Sequence, residues 1–110
     1  MLRLVQINLK HKIIASENLI IFMKTNKIDI SLIQELWVKG NLIRGLKSEG
    51  FKLFYKIPVI GNRPRACILV RNDINAFLLN RYSNDDTTAV VIESSKQGIH
   101  LLGLCVSLSQ

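Results

Sequence analysis

The stretch Asp29-Ile-Ser-Leu-Ile-Gln-Glu-Leu-Trp37 runs from aliphatic residues into a carboxylate. Ile30 to Gln34 holds three large aliphatics and no charge, the composition of a buried strand. The acid after such a strand, Glu35, reaches the rim of a sheet, where ligands gather in open α/β folds. A carboxylate there is a hard oxygen ligand. The second polar group is Asn8, near the end of Leu2 to Leu9, which alternates aliphatic and polar residues after Leu4 in the manner of a half-buried strand.

What must bring Asn8 and Glu35 together lies between them. Ser16 is expected to cap a helix over Glu17 to Lys27, with Leu19, Phe22 and Met23 on one stripe and Glu17 at the favourable amino end. Strand, helix and strand in that order require parallel pairing of the two strands, because the connection is a crossover. Their carboxyl ends then lie side by side.

Further along, Gly40 and Gly50 bracket a short helix expected over Asn41 to Glu49. Phe51 to Lys56, with Lys52 pointing to solvent, and Arg65 to Arg71 read as strands joined in a hairpin across the loop Ile57 to Pro64. Ile74 to Arg81 reads as a weaker edge strand, and Ser83 to Asp86 as a turn. Thr87 to Glu93 is a β-branched strand, Lys96-Gln97-Gly98 a turn, and Ile99 to Leu108 a central strand.

A chain of 110 residues with 48% hydrophobic residues, two Pro and six Gly has the composition of one packed domain, taken as residues 1–110. Cys67 and Cys105 each sit in an apolar run, where a small buried thiol is the ordinary occupant, and neither has a partner at zinc-ligand spacing. The amino terminus lacks the pattern of a secretory signal, and no apolar run approaches the roughly 20 residues of a membrane helix. An intracellular protein, nuclear or cytoplasmic, neither secreted nor embedded in a membrane, is the expectation. Fifteen Lys and Arg against eight Asp and Glu, a net charge of +7, favour a polyanionic partner, nucleic acid first.

Gln6-Ile7-Asn8-Leu9, Ile33-Gln34-Glu35-Leu36-Trp37 and Arg63-Pro64-Arg65-Ala66-Cys67-Ile68-Leu69-Val70, in that order, resemble the opening third to half of the endonuclease/exonuclease/phosphatase superfamily. The likeness is to the apurinic-endonuclease-like domain that opens the polyprotein of non-LTR retrotransposons. It implies an α+β fold of the α/β sandwich type: the amino-terminal portion of a four-layer α/β/β/α sandwich with a mixed sheet, truncated. It also implies a parent activity, magnesium-dependent hydrolysis of DNA phosphodiester bonds.

Carried over residue by residue, the resemblance makes Glu35 the direct carboxylate ligand of Mg2+ (or Mn2+) and lets Asn8 orient the metal or the phosphate. The chemistry agrees, since magnesium is a hard cation bound through one or two carboxylates, waters and substrate phosphate. Lys10, Lys12, Lys39, Arg63 and Arg65 are candidate contacts to DNA phosphates, and Asp86 is a further acidic candidate beside Asp85. Plainer accounts stand beside these. Asn8 is also a turn former, Asp85 and Asp86 suit a turn, Trp37 suits the core, and a basic loop is commonly just solvated.

The family's later motifs, a Tyr, an Asp-x-Asn and a terminal Asp-His pair, have no counterpart in these residues. His11 and His100 show no carboxylate or hydroxyl partner and are expected to be structural or exposed. The chain alone is therefore expected to be inactive and to need partners: DNA, and a missing carboxy-terminal half or reverse transcriptase segment of a parent polyprotein. The alternatives are a basic nucleic-acid-binding module without chemistry and a mobile-element relic.

Overall fold

The computed structural model describes residues 2–39, 42–58, 61–94 and 100–107. Its first unit is strand, helix, strand: β1 (Leu4–Asn8), α1 (Ile13–Thr25) and β2 (Ile30–Gln34). β1 and β2 pair in parallel with Leu4 opposite Ile30 and Asn8 opposite Gln34. The crossover thus lays the two carboxyl ends side by side.

Beyond a short hairpin of β3 (Val38–Lys39) and β4 (Leu42–Ile43), β5 (Phe51–Phe54) and β6 (Ala66–Arg71) pair antiparallel. β6 also runs antiparallel to β2, closing a mixed four-stranded sheet in the order β1-β2-β6-β5. β7 (Asn75–Leu78), β8 (Thr87–Ser94) and β9 (His100–Ser107) form a separate antiparallel sheet in that order.

The central strands of the mixed sheet, β2 and β6, are covered on both faces. Leu9, Ile33, Cys67 and Leu69 pack with Leu19 and Met23 of α1 on one side, while Ile30, Ala66, Ile68 and Val70 pack with Val90, Ile92 and Val106 of the second sheet on the other. That is why Ala66 to Val70 is an unbroken apolar run: a strand between two layers has no solvent side to mark with polar residues. Helix, mixed sheet and antiparallel sheet make an α/β/β stack, in keeping with the sandwich expected.

At the end of the sheet away from Glu35, Asp29 is almost wholly buried. Its carboxylate accepts from the Arg3 amide at 2.7 Å and pairs with the Arg71 guanidinium, so the starts of β1 and β2 and the end of β6 are tied together. Arg71 also donates to Asp73, which holds the Asp73 carboxyl below its ordinary range.

Several sequence expectations need correction. The helix begins at Ile13, four residues earlier than expected, and Lys12, not Ser16, is its N-cap, so Glu17 lies beyond the first turn. Ser16 is instead fully buried, its hydroxyl bonded to the Lys12 carbonyl at 3.3 Å. Phe22 is 45% exposed, and the inward stripe is Ser16, Leu19 and Met23.

Over Asn41 to Glu49 the described residues hold β4 and a turn instead of a helix. Gly45 has φ +81°, and a Cβ there would lie 2.9 Å from that of Ser16, so the chain passes α1 at a distance only glycine permits. Lys52 is half-buried and donates to the Ile74 carbonyl at 2.8 Å. The strand expected over Ile74 to Arg81 stops at Leu78 and gives way to a 3-10 turn, Asn80–Tyr82. β9 lies at an edge of its sheet among the described strands, with Cys105 exposed; Cys67 is buried, and burial pushes its thiol up. The expected turn at Lys96-Gln97-Gly98, the strand ends at Ile99 and Leu108, and the side chain of His100 lie outside the described residues.

Candidate functional site

Glu35 follows the last residue of β2, with its backbone clamped from both sides. Its N–H donates to the Arg65 carbonyl at 3.2 Å, ahead of β6, and its carbonyl accepts from the His11 N–H at 2.9 Å, beyond β1. Held this way it adopts φ +51°, a left-handed conformation costing a non-glycine residue about 1–2 kcal/mol. Lys10 and His11 are left-handed too, at φ 52° and 59°. Three strained residues at two adjacent strand ends are the kind of outlier that collects at functional sites.

The turn brings His11 beside Glu35, with Nε2 3.8 Å from Oε1, while Nδ1 is 2.9 Å from the Leu36 carbonyl. The carbonyl can only accept, so Nδ1 carries a proton, and Nε2 faces the carboxylate. Sequence reading found no partner for His11 because the contact joins residues 11 and 35 through the left-handed turn. Glu35 is one-third exposed, so its carboxylate can still meet solvent and ligands.

Asn8 lies directly opposite Gln34 on the neighbouring strand. Its side-chain oxygen accepts from the Lys10 N–H at 2.8 Å, an Asx turn that shapes the left-handed reversal. One lone pair of that oxygen and the amide NH2 remain for a ligand. Gln34 donates to the Ser107 carbonyl at 2.6 Å, joining the site end of the mixed sheet to β9.

Lys10, Lys12, Lys39 and Arg63 are exposed. Arg65 is differently placed: it is half-buried and paired with Asp86 at 3.1 Å, so those two candidates engage each other. Asn84 accepts from the Asp86 and Thr87 amides, each at 2.9 Å, and so holds the acidic turn. Trp37 is half-buried and lines a pocket of about 410 Å³ with His11, Leu36, Val38, Arg63, Pro64 and Arg65.

Among the described residues no three His, Cys, Asp or Glu side chains gather as a metal cage. One carboxylate with one amide oxygen nearby in the fold is a partial donor set. Such a set suits magnesium, which keeps several waters and takes substrate phosphate as a ligand; it does not suit calcium or zinc, which need more protein ligands.

No protein-family model matches the sequence, and no curated protein matches it. Among solved structures, the endonuclease domain of TRAS1, a telomere-specific non-LTR retrotransposon, aligns with TM-score 0.80 and 23% sequence identity over the whole of this chain. This chain has the fold of the part of that domain it aligns with. It covers 45% of the TRAS1 chain, so it spans less than half of that length. At this identity the likeness speaks to architecture, and at that level the resemblance read from the Asn8, Glu35 and Arg63 to Val70 segments is borne out. No helix among the described residues is long and apolar enough to cross a membrane.

Proposed function

We propose that this chain carries the cation-holding end of a DNA phosphodiesterase site, with Glu35 as the carboxylate ligand of Mg2+ (or Mn2+) and Asn8 as the neighbouring amide. The observation that carries the reading is Glu35 itself: a partly exposed carboxylate at a parallel strand end, kept in a left-handed conformation by backbone bonds to His11, just beyond β1, and Arg65, just ahead of β6. A bound divalent cation would neutralise charge on the scissile phosphate. The fold shared with a retrotransposon endonuclease domain agrees with this assignment.

In this reading the chain's own groups bind and orient. Asn8 directs its free amide hydrogens at a phosphate oxygen. His11, fixed through Nδ1, limits the freedom of the Glu35 carboxylate. Lys10, Lys12, Lys39 and Arg63 draw in the DNA backbone. The titratable side chain that pairs with Glu35 is His11, and general acid-base help is worth about 10²- to 10⁴-fold. With the family's later motifs lacking a counterpart in these residues, the 110 residues alone are expected to be inactive or nearly so, with further groups supplied by another segment or partner.

Plasmid nicking in magnesium tests this, with wild type beside Glu35→Gln. Nicking at or barely above background, with any trace of it lost in the variant, is the expected result. Nicking above background and indifferent to Glu35→Gln refutes the metal role, and vigorous nicking abolished by it refutes the incompleteness. The net charge of +7 keeps a second reading open, a basic module that binds nucleic acid without chemistry. That module would bind equally with magnesium or EDTA.

A further inference from the structure

Next to Glu35 lies a cavity of whose lining the metal reading uses His11 alone. Its walls divide by chemistry. Leu36, Trp37, Val38 and Pro64 are apolar, while His11, Arg63 and Arg65 are cationic or polar. Its volume, about 410 Å³, falls in the range of about 300–1,000 Å³ typical of small-molecule sites. An aromatic wall with arginines around it is how proteins hold a base and its phosphate when the base is not stacked in a duplex.

The wall is firmly built. The Trp37 carbonyl accepts from the Arg44 N–H at 3.0 Å. A Cβ at Gly45 would stand 3.5 Å from Trp37 Cε3, so the indole rests against the backbone beyond β4. Arg65 is anchored by Asp86, and Arg63 is exposed to meet a phosphate. His11 belongs both to the cavity and to the Glu35 contact, so an occupant of the cavity sits directly beside that carboxylate.

We propose that this cavity seats one unstacked nucleobase of a bound nucleic-acid strand, Trp37 stacking on the base and Arg63 contacting its flanking phosphate. The seat rests on the phosphodiesterase reading for its ligand class but requires no metal. It favours single-stranded or locally opened DNA over intact duplex, because a paired base lies inside its stack and does not reach the indole.

Trp37 is the single tryptophan of the sequence, so its emission reports on the seat alone. The full chain is titrated in EDTA with labelled oligothymidylate about a dozen nucleotides long, and with an abasic oligonucleotide of equal length and charge. Anisotropy reads binding and tryptophan emission reads stacking. Oligothymidylate is expected to quench Trp37 and to bind about tenfold more tightly than the abasic strand. Trp37→Leu should erase that preference and Trp37→Phe keep part of it, while Arg63→Gln weakens both strands alike.

Equal binding of the two strands with unchanged emission overturns the seat and leaves the metal reading standing. A base preference that survives Trp37→Leu overturns it as well. If neither strand binds, the seat and the nucleic-acid reading fall together. Glu35→Gln should leave the quenching intact, which separates the two claims.

Discussion

Glu35 has two energetic roles that pull in opposite directions. As a carboxylate at a strand end it is available to a cation; as a non-glycine residue at φ +51° it costs the fold about 1–2 kcal/mol. Asparagine tolerates the left-handed region well but cannot carry the charge. Glu35→Asn is therefore expected to leave the unfolding free energy from urea denaturation unchanged or raised by up to about 1 kcal/mol while cation binding disappears. Loss of stability in that variant would mean that the carboxylate is a structural group. His11 was the residue hidden from sequence reading: its contact with Glu35 depends on two successive left-handed residues, Lys10 and His11, and neither is a glycine that would flag such a turn.

At the scale of elements, the hairpin of β3 and β4 sets the position of Trp37, and Gly45 sets how closely the chain beyond it approaches α1. Gly45→Ala combines a left-handed alanine with a Cβ 2.9 Å from that of Ser16, a helix atom with little room to retreat. A loss of about 2 kcal/mol or more in chemical denaturation is expected. The opposite end of the sheet is expected to respond to pH. Asp73 is held below its ordinary range by the hydrogen bond from Arg71, and a carboxyl depressed in the folded state adds stability above its unfolded pKa, lost as pH falls through the folded value. The stability difference between wild type and Asp73→Asn should be fully present above about pH 4 and decline progressively as pH falls from there through the lowered folded value. A constant difference across that range would contradict the Arg71 contact.

Periodicity made the paired elements legible. Alternation in Leu2 to Leu9 and the aliphatic blocks Ile30 to Gln34 and Ala66 to Val70 yield β1, β2 and β6, and the crossover rule yields the parallel pair. It failed over Asn41 to Glu49, where Leu42, Ile43 and Leu46 fit helical spacing as well as they fit a short strand and a turn. Gly40-Asn41 between Val38 and Leu42 was the available hairpin signal. The helix start was missed for a different reason: Lys12 caps α1 without a side-chain bond, so the sequence carries no capping residue to find.

Over the whole molecule, charge and layering decide what the chain can meet. The site end gathers Lys10, Lys12, Lys39 and Arg63 as exposed cations, and each phosphate neutralised lowers the slope of log K against log salt by about 0.9 for duplex DNA. Arg63→Gln should make that slope shallower by about one unit. An unchanged slope would remove Arg63 from the interface. The stack of α1, mixed sheet and antiparallel sheet matters here because it fixes the ends of β1, β2 and β6 relative to one another, and those three ends hold Glu35 in place.

The most direct test of the central claim is a Mn2+ titration followed by water-proton relaxation, on wild type and on Glu35→Gln of matched stability. One saturable site in the wild type, lost in Glu35→Gln and competed by Mg2+, is the predicted result. Equal Mn2+ binding by the two proteins would contradict it.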